Sequence, residues 1–251
     1  GVLTLVSLWA DSRSLTAILA LAIIVVLLQA WLPGVGRTRP RPWQVIILLS
    51  LVAVAVYQVM QAVIVEGMLG EAARDRSLEQ LDSSGSLLTG GRPEMGAALA
   101  LILRQPWGYG SGVKPTGTDI SYAKSGMYEL NYDPNNGYVT RYLFGSGFEV
   151  HSVLGDLWLR FGLLGAVFAL AVVGYCLYAA AHRISTRSAS ALLALITIMT
   201  VWNLLFAPLR AASYTLVLAL PLAAMPARGP GRARPWEPSG FIDKGRLHTA
   251  R

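Results

Sequence analysis

Long apolar runs separated by short polar connections make up most of the chain, and only one polar stretch is long. A helix needs about 20 mostly apolar residues to cross a bilayer. A short apolar run at residues 2–9 is expected to be the end of a helix whose beginning is missing. The pattern predicts an all-α, polytopic membrane protein with that helix end and five complete transmembrane helices, at residues 14–31, 44–65, 152–181, 189–206 and 214–227.

The composition agrees with a membrane protein rather than an ordinary soluble domain. Only 14% of the 251 residues are charged, whereas soluble domains carry about 25% charged residues. The single cysteine, Cys176, lies in an apolar run, so a disulfide within the chain is not possible. The chain starts at Gly1 without a basic segment, so no signal peptide is predicted. We expect the sequence to be the C-terminal part of a longer protein.

Basic residues in the polar connections predict which side of the membrane each segment faces. Residues 37–41, 183–187 and 228–251 are rich in arginine, and two predicted spans separate each from the next. Cytoplasmic segments carry such an excess of Lys and Arg, so all three are assigned to the cytoplasm. Residues 66–150 and His151 then face outward. The net charge of +7 reflects this topology, and no nucleic-acid partner is expected.

The outer segment, residues 66–150, is too long for a plain connection. Pro93 opens an apolar run that ends at Arg104, which predicts a short interfacial or re-entrant helix. The glycine-rich sequence Pro-Trp-Gly-Tyr-Gly that follows predicts a tight turn. The chain is therefore divided into membrane helices with an outer Ser-Arg element (1–65), an outer domain that roofs the site (66–150), membrane helices (151–227) and a disordered basic cytoplasmic tail (228–251).

Four residues place a charged or titratable group at the outer mouth of an apolar run: His151, Arg13, Arg92 and Arg210. An imidazole with a pKa near 6.5 offers a neutral base at neutral pH, and Glu149 is expected to raise that pKa if it lies close. Arginine stays charged and binds phosphate oxygens through forked hydrogen bonds. The alternatives are a helix-capping histidine and arginines that contact lipid headgroups. Weaker candidates of the same kind are Arg104, Arg141 and Arg160.

No metal site is predicted from the histidines, because His151, His182 and His248 do not all fall on one side of the membrane. A competing catalytic site would use a divalent ion. The carboxylates available to it show no paired spacing; they are Asp119, Glu129, Asp133 and Glu149.

Three short motifs occur in order along the chain, and each is predicted to lie on the outer side. They are Ser12-Arg13, then Gly91-Arg92 followed by the short helix and residues 106–110, then His151-Ser-Val-Leu followed by Gly-Leu-Leu-Gly at residues 162–165. Together they resemble the motifs of the O-antigen ligase and O-antigen polymerase-like superfamily over residues 5–173. Two positions depart from the family pattern, which usually has Asn in place of Ser152 and often has Glu in place of Arg160.

The resemblance implies a GT-C-like fold and a multi-pass glycosyltransferase of the inner or plasma membrane, with its active site outside the cytoplasm. Such enzymes transfer a glycan from a polyprenyl-pyrophosphate carrier to a hydroxyl of a lipid-anchored sugar or of another glycan. His151 is then the general base, Arg13 and Arg92 bind the pyrophosphate, and Arg210 is a further substrate-binding candidate. Neither a metal ion nor a cofactor is expected. The expected partners are the glycan donor, the acceptor and membrane lipids.

Two other classes of function stay open: a transporter or flippase of an anionic lipid-linked glycan, and a non-catalytic membrane scaffold. A transporter is expected to carry charges at mid-bilayer depth, and the predicted spans are almost free of them. Replacing His151 separates the classes, because a transporter or scaffold keeps much of its function without that side chain.

Overall fold

The structure, a computed structural model, describes residues 13–31, 39–66, 71, 75, 78 and 92–226. All regular structure in these residues is helical, and none of them forms a strand. The prediction of an all-α chain is confirmed for this part. The apolar segment 2–9, most of residues 67–91 and the tail 228–251 lie outside the described residues.

Seven α-helices and one π-helical turn can be described. The π-helical turn is Tyr138–Leu143, between α4 and α5. The α-helices are α1 (Arg13–Trp31), α2 (Pro42–Val65), α3 (Pro93–Arg104), α4 (Gly117–Tyr128), α5 (Val153–Ser185), α6 (Ala191–Phe206) and α7 (Leu209–Ala224).

Two hydrogen bonds show which helix termini lie at the same end of the bundle. Gln29 near the end of α1 donates to the carbonyl of Ala189, just before α6, at 3.0 Å. Arg183 near the end of α5 donates to the carbonyl of Ala223 in the last turn of α7, also at 3.0 Å. These contacts bring the ends of α1, α5 and α7 to the beginning of α6. The opposite end of the bundle therefore holds the end of α6 and the beginnings of α1 and α7.

Two of the apolar helices are long and apolar enough to cross a membrane: Pro42–Val63 within α2, and Val153–Ser185. The other three are shorter apolar helices. At about 1.5 Å per residue, the 16 residues of α6 or of α7 extend over roughly 24 Å. The hydrocarbon core of a bilayer is about 30 Å thick, so five complete spans stay a prediction.

The predicted beginning of the last span, at residue 214, is five residues too late, because α7 begins at Leu209. Pro208 precedes it with extended backbone, and Asp156 accepts the backbone N–H of Leu209 at 2.7 Å. This bond satisfies one of the donors that a helix beginning leaves without an intrahelical partner. Arg210 consequently lies in the first helical turn rather than in a loop.

The longest helix, α5, bends sharply at Gly162, whose φ of 64° and ψ of −152° are not helical. A side chain there would meet the carbonyl oxygen of Trp107 at 2.3 Å, so only glycine fits. The bend frees the carbonyl of Leu159, which accepts the N–H of Tyr109 at 2.6 Å. Residues 153–161 turn back along residues 163–185, and the carbonyl of Leu157 lies against Gly165.

Residues 92–150 form their own apolar core, which positions the residues around His151. Helices α3 and α4 approach so closely at Gly96 and Gly126 that a Cβ on either would meet the other's carbonyl oxygen within 2.2 Å. The core consists of Ala97, Ala98, Leu101, Ala123, Met127, Val139, Leu143, Phe144, Phe148, Val150 and Leu159. It packs α3, α4 and the π-helical turn against Leu159 of α5.

Candidate functional site

The backbone of His151 has a φ of 50°, in the left-handed region. This conformation is uncommon outside glycine. It costs of order 1–3 kcal/mol and persists only where the surrounding structure determines it. Asp156, which is fully buried, accepts the N–H of Val150 at 2.8 Å on one oxygen. Its other oxygen accepts the N–H of Leu209. One carboxylate thus secures the chain before His151 and connects it to the beginning of α7.

Ser152 holds the chain on the other side of His151. Its hydroxyl oxygen accepts the N–H of Gly155 at 3.1 Å and caps α5. The same hydroxyl donates to the carbonyl of Leu204, near the end of α6, at 2.9 Å. The helix cap is therefore Ser152, and the imidazole of His151 is not used for capping.

The imidazole of His151 contacts two side chains from residues 92–150, Tyr138 and Glu94. The phenol oxygen of Tyr138 lies 2.8 Å from Nδ1, and the carboxylate of Glu94 lies 3.4 Å from the same nitrogen. The Tyr138 hydroxyl donates to the Glu94 carboxylate. A phenol has one proton, so its oxygen accepts from His151, and Nδ1 carries a proton. In the neutral ring, Nε2 then holds the lone pair.

Hydrogen bonding and burial shift the pKa values of all three groups. The hydrogen bond with Glu94 raises the pKa of His151, and burial opposes that effect only in part. Burial acts to raise the pKa of Glu94, but hydrogen bonds from His151 and Tyr138 outweigh it and hold that pKa below its ordinary value. Burial and the bond to Glu94 raise the pKa of Tyr138. Near neutral pH the carboxylate is charged and the phenol is neutral.

Glu149, the neighbour expected to raise the pKa of His151, has a smaller effect than Glu94 or Asp156. We therefore expect Glu94→Gln to lower the pKa of His151, because the amide removes the negative charge beside Nδ1. Glu149→Gln is the matched control and should move that pKa less. NMR titration of labelled histidine measures both, and an equal or larger shift in the Glu149 variant would contradict the assignment.

Arg92 lies two residues before Glu94, and its guanidinium is half-buried against the end of α6. It donates to the carbonyl of Phe206 at 3.3 Å, and its Cζ lies 4.4 Å from the centre of the Phe206 ring and 5.5 Å from that of Trp202. Burial lowers the pKa of Arg92, but arginine stays protonated in proteins. The contacts hold a cation near Glu94 and Tyr138, the two partners of the histidine, and leave further guanidinium N–H groups for an anion.

The other predicted arginines differ in their position and in their contacts. Arg13 is the first residue of α1, at the same end of the bundle as Phe206, and its side chain lies outside the described residues. Arg210 is exposed, one residue after the anchor point at Leu209. Arg104 forms an ion pair with Asp119 at 3.0 Å and Arg160 donates to the carbonyl of Phe148 at 3.3 Å, which are structural roles.

Two of the four carboxylates considered for a metal site have structural partners. Asp119 pairs with Arg104 and accepts the N–H of Thr116 in a capping box at α4. Asp133 accepts the N–H of Asn135 at 3.0 Å. Within the described part of the chain, no three His, Cys, Asp or Glu side chains are grouped as metal ligands would be.

An apolar groove of about 230 Å³ begins beside the site and runs along α7. Val153, two residues after His151, lines it together with Leu204 and Leu209, which are tied to Ser152 and Asp156. Only Ser213 and Thr200 contribute polar side chains to its lining. An apolar groove between α5 and α7 thus lies next to the segment that carries His151, while the charged side chains of the site are not part of its lining.

Sequence reasoning selected His151 and Arg92 but missed Glu94, Tyr138 and Asp156. The one available signal for Glu94 and Asp156 was a carboxylate in the first turn of an apolar helix. Tyr138 was one of several tyrosines in the outer segment, and nothing in the sequence distinguished it.

A scan against models of known protein families finds no match to this chain, and searches among curated proteins and among solved structures find none either. Any functional assignment therefore rests on the site and on the motifs themselves.

Proposed function

We propose that this chain is a membrane glycosyltransferase of the O-antigen ligase or polymerase type. It would transfer a glycan from a polyprenyl pyrophosphate to an acceptor hydroxyl on the outer face of the inner or plasma membrane. The observation that carries the proposal is the Glu94–Tyr138–His151 set with Arg92 nearby, next to an apolar groove. A base, a cation and an apolar groove are what a lipid-linked, pyrophosphate-bearing donor requires.

The distribution of side-chain size along α5 supports a multi-pass, GT-C-like arrangement. Small residues are buried at its helix contacts; they include Gly165, Ala166, Ala169, Cys176, Ala180 and Ala181. Large apolar side chains are exposed on the same helix; they include Leu164, Val167, Phe168 and Leu170. Soluble proteins rarely expose such apolar surfaces, whereas small residues at helix contacts are typical of membrane bundles.

The chemistry follows from the lone pair on Nε2 of His151. The acceptor oxygen attacks the anomeric carbon of the donor sugar, its proton passes to Nε2, and the bond from that carbon to the pyrophosphate oxygen breaks. Glu94 stabilises the resulting imidazolium through Nδ1, and a positioned base of this kind contributes typically 10²–10⁴-fold. Arg92 stabilises the negative charge that develops on the leaving pyrophosphate. The scheme uses no metal ion and no cofactor.

The direct test is glycan transfer by the purified, full-length protein in lipid nanodiscs. A synthetic polyprenyl-pyrophosphate oligosaccharide is supplied with either a lipid-anchored sugar or a second copy of the donor, and products are identified by mass spectrometry. We expect one of the two acceptors to be extended, and chelator to leave the rate unchanged. If chelator abolished the rate and a divalent ion restored it, the carboxylates and a bound metal ion, rather than His151, would be the catalytic groups. Absence of transfer to both acceptors, with lipid-linked glycan crossing the bilayer instead, would support a flippase.

A further inference from the structure

The turn at residues 106–110 exposes the ring of Trp107 on the protein surface, although hydrogen bonds fix the backbone of the turn. Trp107 is 81% exposed, and Leu103, in the last turn of α3, is 72% exposed. The N–H of Tyr109 donates to the carbonyl of Leu159 at 2.6 Å, and the indole N–H of Trp158 donates to the carbonyl of Pro106 at 2.9 Å. These bonds attach the turn to the bend of α5 at Gly162.

Helix lengths place this turn further from the cytoplasmic end of the bundle than the site is. Residues 163–185 extend over roughly 34 Å, whereas α6 and α7 extend over roughly 24 Å each. The bond from Arg183 to the carbonyl of Ala223 brings the cytoplasmic ends of α5 and α7 to one level. The bend at Gly162 therefore lies about 10 Å beyond the outer ends of α6 and α7.

The site lies at the level of those outer ends. Arg92 binds the carbonyl of Phe206, and Ser152, next to His151, binds the carbonyl of Leu204. The first piece of α5, residues 153–161, leads from the site to the bend, and α3 connects Arg92 to the turn that carries Trp107. Both short helices thus rise from a recessed site to the same outer level.

We propose that Trp107 and its apolar neighbours dock in the headgroup region of the outer leaflet, so that the site lies about 10 Å deeper. Tryptophan concentrates at this region of a bilayer. Residues 163–185, at roughly 34 Å, match the hydrocarbon thickness of about 30 Å and so put Gly162 at its outer boundary. The neighbours that share this level are Leu103, Phe161, Leu163 and Leu164, all exposed. The inference rests on the membrane arrangement proposed above but not on glycan transfer.

Spin-label depth measurements in lipid nanodiscs test this proposal without any substrate. Cys176, the only cysteine, is replaced by alanine. Single cysteines are introduced at the exposed positions Trp107, Leu205 and Val217 and at Ser239 in the polar C-terminal tail. Collisions of each label with dissolved oxygen and with a water-soluble nickel chelate report its depth. Val217, halfway along α7, gives the reference for the hydrocarbon interior. Ser239 gives the reference for water, because the tail that carries it is rich in charged residues.

We expect the measured depth of the label at Trp107 to correspond to the headgroup region. The label at Leu205 should lie about 10 Å deeper. A label at Trp107 that meets the chelate as freely as the one at Ser239 would refute the docking. A label at Leu205 no deeper than that at Trp107 would refute the recessed site. A label at Val217 that reads water would overturn the membrane arrangement itself. Failed glycan transfer with the expected depths would reject the proposed reaction alone.

Discussion

Replacing His151 with asparagine is expected to lower the turnover of glycan transfer by at least ~10²-fold. The variant removes the base, while asparagine tolerates the left-handed backbone that this position requires. Donor binding should change little, because Arg92 rather than His151 carries the charge that attracts the pyrophosphate. Turnover and donor KM of the purified protein measure the two effects separately.

His182→Ala is the matched control for this prediction. His182 is exposed in the last turn of α5, where its ring stacks on Tyr178, and its loss should leave the rate unchanged. In the parent protein the rate should rise with pH through the pKa of His151, because only the neutral ring accepts a proton. Glu94 raises that pKa, so Glu94→Gln should move the rise to lower pH. An Asn variant of His151 that keeps its turnover within a few-fold would remove the general base from the scheme.

Replacing Arg92 with lysine is expected to impair the reaction nearly as much as replacing it with alanine. Lysine keeps the charge but cannot bond Phe206 and bind a phosphate through a planar fork at the same time. Loss of one charge-assisted hydrogen bond costs roughly 1.5–3 kcal/mol, which corresponds to about a 10–150-fold rise in donor KM. Donor titrations of the two variants measure this rise.

Arg141→Lys supplies the control, because Arg141 is an exposed arginine in the π-helical turn of the same outer segment. Its replacement should leave donor KM near that of the parent. Full activity of Arg92→Lys would show that the guanidinium serves only to pack against the aromatic rings of α6. In that case Arg13 and Arg210 would become the principal candidates for binding the pyrophosphate.

The sequence by itself determined where most helices lie. Runs of apolar residues and the positions of Pro and Gly are local signals, so α1, α2, α3 and α6 begin and end within two residues of the predicted bounds. The tight turn at residues 106–110 was predicted on the same basis, and Gly108 and Gly110 have positive φ as a turn of this kind requires. His151 and Arg92 stood out because a polar group beside an apolar run is unusual in itself.

Only the tertiary structure decided what surrounds His151. Glu94 and Tyr138 are 44 positions apart, and Asp156 binds Leu209 across 53 positions. Pairings over such distances depend on how α3, α5 and α7 pack, and no local pattern encodes that packing. The bend at Gly162 also depends on a distant segment. A glycine within an apolar run is predicted to be helical, and only the structure shows that the carbonyl of Trp107 occupies the space where a side chain would lie. Sequence periodicity therefore identified the helices, whereas contacts between distant segments created the site.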